Sequence, residues 1–363
     1  MPVIKIKSHI HNYKVIFGKC NIFLYEIVEK EFAPSCYLID KNVWNLYKNI
    51  YFNHLDHSKI ILIKANEFDK SLMTVQNLYD KLIERSAKRN AVLVSIGGGI
   101  TQDVTGFFAS TLYRGIKWIF IPTTLLAQAD SCIGSKTSLN YKNFKNLVGT
   151  FYPPYRIFID VNFINTQKII DFYSGLGEIV KLHIMGGVKH LEEVSKDLPY
   201  IIAKQKKYLI RAIYNSLLIK KSYIEVDEFD KGKRNLLNYG HCFGHALETA
   251  SNFKIPHGQA VVFGIILANI VSKKRGLLSH KLENKIFEEL LLSIAICDPK
   301  LYLTKKEKII SAMKKDKKRV GEKLPLIIMK DKLRIGKLLD LDEKEIEFAL
   351  TNLLARTKSY GAS

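Results

Sequence analysis

Long apolar runs are missing from this chain, and so are paired cysteines and any surplus of acid. The longest apolar stretch, Ala260 to Val271, is interrupted by Asn269 and falls short of the roughly 18–20 residues that span a bilayer, so no membrane partner is expected. The five cysteines (Cys20, Cys36, Cys132, Cys242, Cys297) are scattered and never form C-x-x-C, which argues against a disulfide framework and a Cys-based zinc ribbon. Cys242 adjoins His241, but neighbouring helical residues point in different directions, so it reads as a packing residue. Met1 to Lys7 alternates like a strand and lacks a secretory h-region, which predicts a cytoplasmic location. No internal repeat or low-complexity linker is evident.

Acid is scarce, with 35 Asp and Glu against 56 Lys and Arg and a formal net charge of +21. Such a balance suits nucleic acid, yet most lysines are interleaved with acids, as from Lys281 to Glu289, and read as solvated helix faces. Only Lys305 to Lys308 and Met313 to Arg319 form dense runs, and no nucleic-acid reader module accompanies them. No nucleic-acid partner is expected. Attraction for a phosphorylated substrate explains the charge more economically.

What is present divides the chain in two. At 363 residues it exceeds the usual single-domain size. The first part alternates short apolar runs, at Ser35–Asp40, Ile60–Lys64, Ala91–Ile96 and Trp118–Pro122, with amphipathic helix at Ser71–Arg89. That is the pattern of a parallel α/β domain, expected over residues 1–165. From 166 to 363 helical periodicity dominates, over Asp171–Val188, Tyr200–Ile224, Leu236–Asn252, Gly258–Arg275 and Lys281–Ala295, which predicts an all-helical domain. A polar loop is expected from Thr123 to Pro154.

Each part offers chemistry. Ala91–Ile96 followed by Gly97-Gly98-Gly99 and a helical pattern from Thr101 gives strand, glycine turn and helix, which brings a phosphate to a helix N-terminus. The spacing is not G-x-G-x-x-G, so alone it is a tight turn. Asp40, at a strand end, can meet a ribose hydroxyl or cap a helix. In the second part His241 and His245 fall on one helical face and His257 follows, so imidazoles can converge on a divalent metal. A metal cluster in one half favours a dinucleotide at the glycine turn of the other.

These blocks occur in a recognisable order: Gly97-Gly-Gly-x-x-x-Asp103-x-x-Gly106, Tyr113-Arg114-Gly115, Pro122-Thr-Thr-Leu-Leu-Ala-Gln-x-Asp130, Lys136-Thr137, Lys145-Asn146, Gly177-Glu178-x-x-Lys181, Arg234-x-x-x-Asn238-x-x-His241-x-x-x-His245, His257-Gly258 and Asp316-Lys317-Lys318. In that order they resemble the 3-dehydroquinate synthases and the wider sugar-phosphate cyclase family. The resemblance implies an NAD-binding α/β domain followed by a helical metal-binding domain. It further implies cyclisation of 3-deoxy-arabino-heptulosonate 7-phosphate with loss of phosphate in the shikimate pathway, through NAD+ and zinc or cobalt. Metal ligands implied are Glu178, His241 and His257, leaving His245 beside the substrate. Substrate positions implied are Asp130, Lys136, Lys181, Lys220, Arg234, Asn238 and His245, with Arg114, Lys136, Asn146, Lys317 and Lys318 at the phosphate end. Cofactor positions implied are Asp40, Glu67, Lys70, Gly98, Gly99, Asp103, Thr123, Thr124, Lys136, Lys145 and Thr166. The expected partners are a phosphorylated sugar acid and a second copy of the chain in a homodimer.

Two residues depart from the family pattern, Gln102 and Ser135, each standing where glycine is usual. Relatives that cyclise sedoheptulose 7-phosphate or glucose 6-phosphate diverge in the same loop, so a specialised cyclase is the alternative. A metal-dependent polyol dehydrogenase resembling the glycerol dehydrogenases is a further one, disfavoured by the Arg234/Asn238 block and the Lys136-Thr loop.

Overall fold

The computed structural model describes residues 2–33, 35–85, 88–142, 144–298, 305–314 and 324–360. It divides into two compact units, one comprising Met1–Gln167 with Lys221–Asp230, the other Lys168–Lys220 with Lys231–Ser363. The short segment Lys221–Asp230 therefore belongs with residues far upstream of it. Its Glu228 explains why: the carboxylate accepts from the Ser8 hydroxyl at 2.7 Å, the His9 N–H at 2.7 Å and the Ser135 hydroxyl at 2.8 Å.

The first unit is built on a seven-stranded sheet. Its strands are β1 (Val3–Ile6), β2 (Tyr13–Phe17), β3 (Cys36–Asp40), β4 (Ile60–Ile63), β5 (Val92–Gly97), β6 (Lys117–Pro122) and β9 (Arg156–Ile159), in the order β1-β2-β9-β6-β5-β3-β4. All pairs are parallel except β1 with β2. Every residue of β3 and β5 is buried, as strands covered on both faces require, and this is why they read as unbroken apolar runs. The chain steps outward from β3 to β4 and then returns to β5 on the other side of β3. The crevice at the ends of β3 and β5 is thus a topological switch point, flanked by Asp40 and by the Gly97 turn.

The expected polar loop from Thr123 to Pro154 is instead largely an antiparallel hairpin, β7 (Lys136–Tyr141) with β8 (Phe144–Phe151). Much of β8 is exposed, so its sequence lacks the apolar face that would have marked it as a strand.

The second unit is helical around Ile169–Met185, Val188–Ile202, Lys206–Ile224, His241–Ala250 and His257–Lys274. From Gly258 to Ser272 the last of these is buried on all sides, which accounts for its long apolar run without a membrane. No helix among the described residues is long and apolar enough to cross a membrane. The helix expected over Tyr200–Ile224 begins only at Lys206, because Lys204 takes a left-handed conformation (φ 54°) that ends the preceding helix. The unit is not purely helical: β10 (Leu324–Lys330) and β11 (Arg334–Leu341) form an antiparallel hairpin.

Candidate metal centre and cofactor site

Glycine contacts bring the metal-ligand candidates together. Gly177 precedes Glu178 and Gly258 follows His257, and a Cβ on either would strike the backbone of the opposite helix, at the Gly258 carbonyl and the Ser174 carbonyl respectively. The helices Ile169–Met185 and His257–Lys274 therefore touch backbone to backbone at this crossing, and the Ser174 hydroxyl accepts from the Gly258 N–H at 2.9 Å. A similar approach at Gly264 and Gly240 draws in the helix His241–Ala250.

The result is a buried carboxylate facing two imidazoles. Glu178 Oε1 lies 3.7 Å from His241 Nε2 and 3.5 Å from His257 Nε2, and this atom is buried without a hydrogen bond. Glu178 Oε2 pairs with Lys181 Nζ at 2.5 Å. Burial alone would raise the Glu178 carboxyl, but Lys181 and His257 outweigh it and hold it below its ordinary value. Burial likewise opposes a charge on His257, yet Glu248 and Glu178 lift it to about 10. His241 goes the other way, driven well below its ordinary value by burial and by the cationic neighbours Lys181, His257 and His245. An orphaned carboxylate oxygen facing two imidazole nitrogens fits a divalent ion, with one oxygen and two nitrogen donors.

Among the described residues the ligand-bearing triads are Glu178, His241, His257 and His245, Glu248, His257, each with its ligand atoms within 4.8 Å of one another. Neither contains His241 and His245 together, although their rings lie 5.3 Å apart. The four-residue spacing thus pairs two histidines that the described structure puts in different groups. In the same unit Lys220 and Arg234 are buried, and Asn238 donates to the Asn235 carbonyl at 2.8 Å.

The first unit gathers the cofactor candidates. Gly98 caps the helix Gly99–Thr111, which begins two residues earlier than its periodicity suggested, and the turn follows β5 directly. The first N–H groups of such a helix point out of its end, where they favour an anion. A Cβ on Gly98 would stand 3.0 Å from Thr124 Cγ2, so the turn is tight against Thr123-Thr124 at the end of β6. Asp40 acts as a helix cap, accepting from the Asn42 N–H at 2.7 Å. Thr166 meets the Tyr47 hydroxyl at 2.7 Å.

Asp103 lies within the helix and not at its cap. It pairs with Lys70 at 2.5 Å and accepts from the Ser138 N–H and hydroxyl. Burial raises its carboxyl, against the pull of Lys70 and Ser138. Lys70 also donates to Asn146 Oδ1 at 2.6 Å, while Asn140 donates to Glu67, which faces Lys145 at 3.6 Å. Glu67, Lys70, Asp103, Lys145 and Asn146 thus form one polar network. Ser138 and Asn140 of β7 complete it; Asn140 stands out in the sequence as a polar residue of the expected loop without an assigned role, and Ser138 does not stand out at all. Lys136 pairs with Asp230 at 2.5 Å, and Arg114 is exposed in a left-handed turn (φ 66°). Asp130 sits in the π-helical turn Ala127–Ser131, whereas Lys317 and Lys318 lie outside the described residues.

Residues 60–174 match the model of the 3-dehydroquinate synthase N-terminal domain and residues 175–319 that of the C-terminal domain. The chain belongs to the 3-dehydroquinate synthase family. The 3-dehydroquinate synthase of Pelagibacter ubique is 37% identical over 97% of this chain and 99% of its own length. That of Clostridium tetani is 38% identical over 73% of this chain and 68% of its own. Among solved structures, a 2-deoxy-scyllo-inosose synthase complexed with carbaglucose-6-phosphate, NAD+ and Co2+ superposes with a TM-score of 0.82 at 26% identity, covering 96% of this chain and 99% of that one. Within this family frame, the two departures from the usual pattern are both hydrogen-bonded. Gln102 is bonded to Ser131, and Ser135, at φ 65°, uses the left-handed region glycine favours while its hydroxyl reaches Glu228.

Proposed function

We propose that this protein is a 3-dehydroquinate synthase, converting 3-deoxy-arabino-heptulosonate 7-phosphate into 3-dehydroquinate and phosphate with bound NAD+ and a divalent ion, zinc or cobalt. The observation that carries the reading is Glu178 Oε1 facing His241 Nε2 and His257 Nε2 in a chain matched by the family from end to end of its relative. When bound, NAD+ supplies reversible hydride acceptance and the metal ion supplies Lewis-acid polarisation of a ring hydroxyl.

The chain's own residues do the rest. Glu178, His241 and His257 hold the ion, and Lys181, held against Glu178, keeps a cation beside it. Lys220 and Arg234 take the substrate carboxylate, with Asp130, Asn238 and His245 at its hydroxyls. Arg114, Lys136, Asn146, Lys317 and Lys318 take the phosphate end. Asp40, Glu67, Lys70, Gly98, Gly99, Asp103, Thr123, Thr124, Lys136, Lys145 and Thr166 hold the dinucleotide. A homodimer in the cytoplasm completes the reading.

The test is turnover with substoichiometric NAD+ in the presence of zinc. Many phosphates released per NAD+, with 3-dehydroquinate formed and no steady rise in NADH absorbance, is the expected result. Stoichiometric NADH would move the protein to the dehydrogenases, and faster cyclisation of sedoheptulose 7-phosphate would make it a specialised cyclase. Light scattering checks the dimer.

A further inference from the structure

We infer that Glu248 is a positioning residue that fixes the tautomer and direction of His257, and thereby sets how tightly this chain holds its metal ion. The inference rests on the metal-binding reading above. His257 Nδ1 lies 3.3 Å from Glu248 Oε2, while its Nε2 faces Glu178 Oε1 at 3.5 Å. A neutral imidazole carries its proton on one nitrogen and a lone pair on the other. A carboxylate only accepts, so when a metal ion replaces the Nε2 proton of the His257 cation, Glu248 keeps the remaining proton on Nδ1 and the Nε2 lone pair is left for the ion.

His241 is turned the same way by a different partner. Its Nδ1 lies 3.1 Å from the Tyr239 carbonyl, and its Nε2 faces the same Glu178 oxygen at 3.7 Å. A carbonyl and a carboxylate thus orient the two imidazoles, and the carboxylate, being charged, makes its histidine the stronger donor.

The chain between Glu248 and His257 supports this role. Glu248 is buried two helical turns beyond His241, and its carbonyl accepts from the Phe253 N–H at 2.7 Å and the Ser251 hydroxyl at 2.9 Å. The same residue therefore anchors the turn that returns the chain to His257. Glu248 also lies within ligand reach of His245, so a direct ligand role is the competing explanation. A glutamine separates the two, because its amide oxygen still accepts from Nδ1–H but is a poor metal ligand.

The experiment titrates Co2+ into chelator-stripped full-length protein, reading affinity by competition and site geometry by the visible d–d spectrum. Glu248→Ala is expected to bind about 10–100-fold more weakly with a changed spectrum, and Glu248→Gln to recover most of the affinity. Wild-type affinity and spectrum in Glu248→Ala would overturn the inference, as would a Glu248→Gln as weak as the alanine variant. Glu178→Ala is the control: if it binds cobalt like the wild type, or the wild type binds none, the metal reading itself fails. Imidazole 15N correlations of the zinc-loaded wild type need no variant that might misfold. Metal on His257 Nε2 with the proton on Nδ1 supports the inference, and metal on Nδ1 overturns it.

Discussion

Gln102 and Ser131 hold each other by two hydrogen bonds, the Gln102 amide donating to the Ser131 carbonyl at 2.7 Å and the Ser131 hydroxyl donating back to Gln102 Oε1 at 2.7 Å. A glycine at 102, usual in the family pattern, could make neither. The bonds tie the helix behind the glycine turn to the turn carrying Asp130, so the departure adds a brace beside the candidate site.

Replacing Gln102 by glycine should therefore cost stability. Two hydrogen bonds of about 0.5–1.5 kcal/mol each and about 1 kcal/mol of helix propensity give a loss of about 2–4 kcal/mol. Denaturant unfolding measures it, with Ser131→Ala as the partner in a double-mutant cycle. Additive losses in that cycle would mean that the two side chains do not act together.

The other departure predicts an acid-limb effect. Burial would lift the Glu228 carboxyl, but the Ser8 hydroxyl, the His9 N–H and the Ser135 hydroxyl outweigh it and hold it below its ordinary value. Between the folded and unfolded pKa values the unfolded chain binds more protons, so stability rises with pH there. The contribution is complete above the unfolded value of about 4.3 and is lost as pH falls through the folded one. Glu228→Gln should flatten the fall in stability below that pH, and Ser135→Gly, which removes one donor, should flatten it less. An acid limb unchanged by Glu228→Gln would show that the carboxylate gains nothing from its donors.

How much of this was legible depended on range along the chain. Strands β3, β5 and β6 declared themselves because burial on both faces leaves nearly unbroken apolar runs, and the edge strand β4 because its residues are apolar although Leu62 is exposed. The β7–β8 hairpin hid because apolar and polar residues mix on both faces of β8 instead of alternating, and its role is to carry Ser138, Asn140 and Asn146 into the network with Asp103 and Lys70. Local spacing offered His241 with His245, but the residue that meets His241 is Glu178, brought from another helix by glycine contacts that no periodicity reveals. Only the family resemblance pointed to Glu178. Nothing in the spacing singled out Glu248, whose meaning depends on which nitrogen of His257 it faces.

Metal removal separates the two histidine groupings. Chelator should abolish turnover, and His241→Ala and His257→Ala should lose bound metal because each Nε2 faces the same Glu178 oxygen. His245→Ala should keep its metal and turn over slowly. Metal analysis of the purified variants checks this; loss in His245→Ala with retention in His257→Ala would favour the simple pair at four-residue spacing.

Substrate choice should follow Arg234 and Lys220. Both are buried, 4% and 8% exposed, so a charge-assisted hydrogen bond made to them is shielded from water. The heptulosonate brings a carboxylate to that end, whereas sedoheptulose 7-phosphate brings a neutral one and forgoes charge-assisted hydrogen bonds worth about 1.5–3 kcal/mol each. Losing even one corresponds to at least about tenfold in kcat/KM, since 1.36 kcal/mol is roughly a factor of ten. Arg234→Ala should accordingly lower kcat/KM for the heptulosonate far more than for the neutral-ended sugar phosphate, narrowing the preference of the wild type. Equal losses on both substrates would mean that Arg234 supports the fold and not the carboxylate, and the choice between synthase and specialised cyclase would then rest on the wild-type rates alone.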